Sequence, residues 1–303
     1  MSLGISGAFN RIVLSSTLII APINGVEEQN VSKIITIHSL SEVQISQPEK
    51  TLFLYDLDDT IFDFPYMVGS KGWRSYIREA TQKIDDSQNW HDILSYYLTK
   101  NYAVKTVEPM TSIWIKDLQA KGYVVCGFTS RERKLWYDLP QVGVDAMTTQ
   151  QLNSVDVDFH NNALETTYPD FAQHPEYFSG IFFCNIEPKG NFLTDFLKNA
   201  SIKPSKVVFI DDKFSQIESV ANALGALGIP NESYYYTATN AKTDNFNPLI
   251  ANIQLYYFLK SGEILSDDAA ALRAKENPFH TADEYLQDIL ELAKNLLLCI
   301  KGQ

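Results

Sequence analysis

The chain has 303 residues, 45% of them hydrophobic and 20% charged, and its formal net charge at pH 7 is −12. So apolar a chain can bury a sizeable core and is not disordered. The acidic balance, with no cluster of Lys or Arg, argues against nucleic acid as a partner, because phosphate neutralisation dominates that affinity. The length suits one large domain, or one domain with a modest insert. Cys126, Cys184 and Cys299 are odd in number and far apart, which gives neither a disulfide framework nor a zinc spacing. Cys126 and Cys184 sit in apolar runs and read as buried thiols. The five histidines are scattered without ligand spacing and read as structural or surface residues.

Residues 1–50 form an N-terminal segment with two readings. Arg11 precedes an apolar run over residues 12–23, and Asn24-Gly25-Val26-Glu27-Glu28 follows. That order matches the charged, apolar and polar regions of an export signal. If residues 4–25 are such a signal, the protein is periplasmic or secreted. Otherwise the segment is an extra strand or helix of a cytoplasmic protein. The run is too short to cross a bilayer as a helix, so no transmembrane span is expected.

From residue 51 onward, short apolar runs alternate with helical patterns. Strands are predicted at 52–55, 123–128, 180–184, 207–210 and 233–236, each with the length and the β-branched or aromatic content of a buried strand. Helical stripes lie between them. One covers 112–121, with Gly122 just past its end. Another carries Phe192, Leu193, Phe196 and Leu197, and a third carries Ile217, Val220, Ala221, Leu224 and Leu227. Near the C-terminus Thr281 and Glu284 form a capping-box pattern ahead of Leu286, Ile289, Leu290, Ala293 and Leu297. Alternating strands and helices predict an α/β fold: a Rossmann-like parallel sheet with helices on both faces. In such sheets ligands bind beyond the carboxyl ends of the strands.

Polar residues end several of these runs. Asp56-Leu57-Asp58-Asp59-Thr60 follows the first strand, and carboxylates packed that closely repel unless something binds them. A divalent cation would relieve the repulsion, and Mg²⁺ favours one or two carboxylates plus water and phosphate oxygens. Asp56 can then act as nucleophile toward phosphorus, and Asp58 as acid and then base. Thr129 and Ser130 end the second strand, with a helix start expected next, and can donate to phosphoryl oxygens. Lys189, before a helix beginning near Asn191, can neutralise a transferring phosphoryl group. Asp211 and Asp212 end the fourth strand and suit a magnesium site.

These four elements, in this order, resemble the four motifs of the haloacid-dehalogenase-like (HAD) superfamily: Asp56, Asp58 and Thr60 match its D-x-D-x-T, Thr129 its second-strand hydroxyl, Lys189 its basic residue, and Asp211 with Asp212 its paired acids. The resemblance spans about residues 51–237. It implies a Mg²⁺-dependent phosphohydrolase acting through an aspartyl-phosphate on a small phosphorylated substrate, with metal ligands from Asp56, Asp211, Asp212 and the main-chain carbonyl of Asp58. Gly69-Ser70, Trp73 and the Thr-Ser-Arg run look like a branch of that superfamily without an assigned substrate. Asp58 disfavours dehalogenation, which needs no acid. A phosphotransferase or protein phosphatase is one alternative, and a non-catalytic binding protein on the same scaffold is another.

Caps decide the substrate in that superfamily. Residues 62–110 are expected to form a small, mainly helical cap of about two helices, and residues 131–178 a hairpin or long loop. Residues 238–303 are expected to be a helical extension packed on the core. Asp59 is read as a solvent or turn residue, and Asp63 and Arg131 as surface ion-pair partners ahead of substrate contacts. Trp73 and Arg74 fall where substrate-facing cap residues would lie, with Trp73 read first as a packing residue. The sequence leaves the oligomeric state undetermined.

Overall fold

The computed structural model describes residues 32–45, 51–133, 143–160 and 162–301. Its strands are β1 (Ser32–Ile37), β2 (Thr51–Tyr55), β3 (Phe62–Asp63), β4 (Lys105–Thr106), β5 (Val124–Thr129), β6 (Tyr177–Phe178), β7 (Ile181–Phe183), β8 (Lys206–Asp211) and β9 (Asn231–Tyr236). Its α-helices are α1 (Lys71–Ile84), α2 (Trp90–Asn101), α3 (Thr111–Ala120), α4 (Val144–Ser154), α5 (Asn162–Thr167), α6 (Pro169–Ala172), α7 (Lys189–Asn199), α8 (Phe214–Ala226), α9 (Asn240–Asp244), α10 (Pro248–Ser261), α11 (Asp267–Glu276) and α12 (Ala282–Lys301).

Seven strands make one sheet in the order β1-β9-β8-β2-β5-β7-β6. All pairings in it are parallel except β6 with β7. The fold is therefore α/β, with a mostly parallel sheet flanked by helices. β2 is central, and every one of its residues is buried. That explains why its sequence, Thr-Leu-Phe-Leu-Tyr, is a continuous apolar run rather than an alternating one. Leu52 and Leu54 face one core layer with α7 and α8. Phe53 and Tyr55 face the other, which includes residues of α1, α2, α10 and α12.

The chain leaves β2 for β5 on one side and returns through β8 on the other. The carboxyl end of β2 is thus a topological switch point, where an open parallel sheet offers a crevice. β1 lies within the segment set apart as N-terminal, yet it pairs with β9, so the sheet starts before residue 51. Residues 4–25, where the two N-terminal readings fall, lie outside the described residues. Among the described residues no helix is long and apolar enough to cross a membrane.

Between β3 and β4, which pair antiparallel, lies the α1–α2 helix pair. The C-terminal helices hold it. The amide of Val68 donates to Gln254 Oε1 at 2.9 Å, Asn252 Nδ2 donates to the Tyr76 hydroxyl at 2.8 Å, and Lys294 pairs with Asp85 at 2.7 Å. At the end of the 131–178 stretch, β6 makes a tight antiparallel hairpin with β7. The described part carries α4, α5, α6 and β6.

Candidate active site

Four chain segments converge at the carboxyl end of the sheet. Asp56 follows β2, and its amide donates to Ile210 O at 2.9 Å, which carries the β2–β8 ladder one residue further. Asp211 ends β8 and Asp212 follows it. Thr129 ends β5. Lys189 opens α7 and is 1% exposed. Gly190 explains how α7 can sit there. A Cβ at Gly190 would lie 2.1 Å from Ser219 O of α8, so only glycine permits the approach. The amide of Lys189 also donates to Gln216 Oε1 of α8 at 2.9 Å.

Ligand atoms of Asp56, Asp211 and Asp212, all buried, lie within 4.8 Å of one another. The Lys189 ammonium bridges the first two, 2.6 Å from Asp56 Oδ1 and 2.6 Å from Asp211 Oδ2. The amide of Lys213 donates to Asp211 Oδ1 at 2.7 Å. Asp212 Oδ2 faces the Lys71 ammonium at 2.8 Å as an ion pair without hydrogen-bond geometry, and Asp212 Oδ1 is buried with no hydrogen-bond partner. A buried carboxylate oxygen left unpaired is costly. The hard oxygen donor set, with that orphaned atom, fits Mg²⁺.

The electrostatics follow from burial and these pairings. Burial raises the Asp56 carboxyl, Lys189 opposes the rise, and Asp212 adds to it. Burial likewise pushes Asp211 up to about 6, against Lys189. Asp212 is raised by burial and by Asp211, with Lys71 opposing. Lys189 is held well above its ordinary value, because Asp211 and Asp56 outweigh the burial that would lower it.

Asp58 is placed differently. Its carboxylate is outside the three-carboxylate cluster and accepts two hydrogen bonds from Arg131, Nε to Oδ2 and Nη2 to Oδ1, both at 2.8 Å. Burial alone would raise Asp58, but Arg131, with Arg74 and Lys213, brings it far below the usual carboxylate range. Arg131 also donates from Nη1 to Thr148 Oγ1 at 2.9 Å and to Gln151 Oε1 at 2.8 Å, and its guanidinium lies 5.3 Å from the Phe62 ring centroid. A fork with five donors suits this bidentate grip.

Several expectations are corrected here. Arg131 is not a surface partner, since it grips Asp58 inside the site. Asp63 is buried and pairs with Lys242 at 2.6 Å. Asp59 does occupy a turn, with φ +63°, a region Asp tolerates. It is not in solvent, being 2% exposed and paired with Arg74. Burial pushes it up to about 7 against Arg74. No helix starts directly after Thr129. Residues 130–133 are irregular because hydrogen bonds tie them to the loop after β7. Ile186 N donates to Ser130 O at 3.0 Å, and Arg133 N donates to Asn185 Oδ1 at 3.1 Å. α4 begins only at Val144. Trp73, Cys126 and Cys184 are buried as expected.

Asp56, Asp58, Thr129, Ser130, Arg131 and Asp211 line one cavity of about 290 Å³ together with Lys71, Arg74, Arg78, His91 and Asp92 of α1 and α2. A larger hollow of about 600 Å³ beside α6 and α7 is lined by Asp170, His174 and Glu176 among others. Among the described residues the metal-binding geometry occurs only at Asp56, Asp211 and Asp212.

Fold and site thus define an α/β protein with a carboxylate-rich crevice at the switch point of a parallel sheet. The chain belongs to the family described as "Protein of unknown function (DUF2608)", which it matches over residues 33–271. It is 21% identical over 269 residues to a Chlamydia trachomatis protein named "Putative outer membrane protein", an alignment covering 88% of this chain and 98% of that one. A Chlamydia pneumoniae protein of similar name is 24% identical over 246 residues, covering 80% and 88%. An uncharacterized protein of Rickettsia prowazekii is 23% identical over 278 residues, covering 86% and 97%. No solved structure matches the chain significantly.

Proposed function

We propose that the protein is a Mg²⁺-dependent phosphohydrolase of the HAD type, with Asp56 as nucleophile and a small phosphate monoester as substrate. The observation that carries this reading is the placement of Asp56, Asp211 and Asp212 within 4.8 Å of one another at the switch point, with Lys189 bound to the first two. A bound Mg²⁺ would screen Asp56 and polarise the phosphoryl oxygens, held by Asp56, Asp211, Asp212 and the Asp58 carbonyl.

The chain's own groups divide the remaining work. Lys189 fixes the orientation of Asp56 and balances charge on the transferring group. Thr129 and Ser130 supply hydroxyl donors to the phosphoryl oxygens. Asp56 attacks phosphorus, the ester oxygen leaves, and water then hydrolyses the aspartyl-phosphate. Asp58 protonates the departing oxygen and afterwards deprotonates that water. Asp58 must first take that proton from solvent, for which Arg131 must release it, and two phosphoryl oxygens offer the guanidinium an equivalent bidentate partner. The braced cap over a cavity of about 290 Å³ favours a small substrate over a protein.

The test is phosphate release from p-nitrophenyl phosphate and a panel of metabolite phosphates, with Mg²⁺ or EDTA. Turnover should require Mg²⁺ and vanish in Asp56→Asn with the fold retained. Metal-independent turnover, or retained activity in that variant, overturns the reading. For location, the names of the Chlamydia relatives and the pattern at 4–25 favour export. Fractionation of cells expressing the chain with and without residues 1–31 tests this, and identical distributions would refute it.

A further inference from the structure

Lys71, Arg74 and Arg78 recur at three- and four-residue spacing and so share one face of α1. All three line the cavity of about 290 Å³ that holds Asp56 and Asp58. The first two are committed. Lys71 pairs with Asp212 and Arg74 with Asp59, and Arg74 Nη1 also donates to the Gly69 carbonyl at 2.7 Å. Arg78 stands one turn further along. It is exposed, and its guanidinium has no hydrogen bond or ion pair among the described residues. Helical side chains lean toward the N-terminus of their helix, so Arg78 leans back toward Lys71 and the carboxylates.

Lys213, which follows the Asp211-Asp212 pair, lines the same cavity. Its amide is spent on Asp211 Oδ1. Its side chain is exposed and forms no ion pair among the described residues. The charge of Lys213 nevertheless acts on both Asp58 and Asp212, which places it close to the reacting groups. The remaining cations of the site are taken, Arg131 by Asp58, and Lys189 by Asp56 and Asp211. Glu132 also lines the cavity without an ion pair among the described residues. Asp92 is engaged, accepting from Asn89 Nδ2 at 2.8 Å and lying 2.6 Å from His91 Nδ1.

Arg78 begins about 10 Å beyond Lys71 along the helix, at about 1.5 Å per residue. That is too far out for the phosphoryl group held at Asp56, and it suits an anion on the other end of the substrate. A guanidinium fork matches a carboxylate or a phosphate. Resting on the phosphohydrolase reading, we propose that Arg78 and Lys213 bind an anionic leaving group. The substrate is then a phosphate monoester with a second anionic group, a carboxylate or another phosphate, a few bonds from the ester oxygen. The cavity holds roughly nine water-sized groups at about 30 Å³ each, which is room for a phosphoryl group, a short chain and a carboxylate.

The test reads binding without turnover, by titration calorimetry of the full chain with Mg²⁺ and non-hydrolysable phosphonates. Butylphosphonate, 4-phosphonobutanoate, butane-1,4-diphosphonate and 4-aminobutylphosphonate share one chain and differ at its far end. At least one of the two probes with an anionic end should bind about tenfold tighter than butylphosphonate, the equivalent of one charged hydrogen bond. The tighter of the two assigns carboxylate or phosphate. The preference should disappear in the double variant Arg78→Gln with Lys213→Gln. No binding by any probe, equal binding of charged and uncharged ends, tightest binding of the amine-ended probe (Glu132 dominating), or a preference retained in the double variant overturns the proposal. Phosphate release from p-nitrophenyl phosphate is measured in parallel. The preference without phosphate release would sustain the anion subsite and overturn the phosphohydrolase reading, and release without the preference would do the reverse.

Discussion

Replacing Lys189 by Met tests the electrostatic heart of the site, because the two side chains are similar in volume and the packing loss is small. In the metal-free protein the Lys189 ammonium lies between two buried carboxylates, 2.6 Å from each. Removing one partner of a buried ion pair costs about 3–5 kcal/mol, since the other charge stays uncompensated. That cost is tied to pH. Burial already raises Asp211 from 3.8 to about 6 in the native protein. A carboxyl raised in the folded state is fully stabilising below its unfolded value and loses that contribution as pH rises through its folded value. For Asp211 the window is therefore about pH 4 to 6, worth on the order of 3 kcal/mol. In Lys189→Met both Asp56 and Asp211 rise further and take up protons instead of remaining as unpaired charges. Urea unfolding in EDTA near pH 5 and pH 8 should give a loss of about 3–5 kcal/mol at the higher pH and a clearly smaller one at the lower. An equal loss at both pH values, or one under about 1 kcal/mol at the higher, would refute the reasoning.

Three further outcomes are expected. Gly190→Ala places a methyl against Ser219 O, so overpacking should cost about 1–3 kcal/mol and shift α7. The check is thermal unfolding, with phosphate release as a report on Lys189, and a neutral variant would contradict the close approach. Arg131→Met should free Asp58. A depressed carboxyl contributes stability above its unfolded value of 3.8 and loses it as pH falls through the folded value, so the pH-dependent part of the cost should be full at neutral pH and disappear in acid. A cost that does not vary with pH would rule out the Asp58 pairing as its source. Mg²⁺ at a hundred times its Kd should stabilise the wild type by about 2.7 kcal/mol, roughly 5 °C in Tm for a chain of this length. Asp212→Asn should lose most of that shift, and an undiminished shift would place the ion elsewhere.

Much of the sheet could be read from sequence because buried parallel strands leave continuous apolar runs, and the polar residue ending each run marks the crevice. Asp56, Thr129 and Asp211 are legible that way, and Lys189 by its place before a helix. What could not be read depends on contacts across long separations. Nothing local shows that Arg131 reaches back 73 residues to Asp58, nor that α8 crowds Gly190. Asp59 looked solvent-facing because its left-handed turn, which folds it back toward Arg74, has no strong signature in Asp-Asp-Thr. β1 escapes firm assignment because it is an edge strand among the described residues. Its residues Ser32, Lys33 and Ile34 are exposed, so its apolar pattern is weak. The bracing of the cap by α10 to α12 joins residues near 70 to residues near 254 and is likewise invisible to periodicity.

The central claim is that Asp56 carries the phosphoryl group. Residues 51–71 form one tryptic peptide, following Lys50 and ending at Lys71, and it contains Asp56. The direct measurement is acid quench during turnover of an active phosphate ester with Mg²⁺, followed by mass spectrometry of that peptide. The account predicts one added phosphoryl group on residues 51–71, sensitive to hydroxylamine as an acyl phosphate should be, and absent in Asp56→Asn. Turnover with no phosphoryl group on that peptide, or with the group retained in Asp56→Asn, would contradict it.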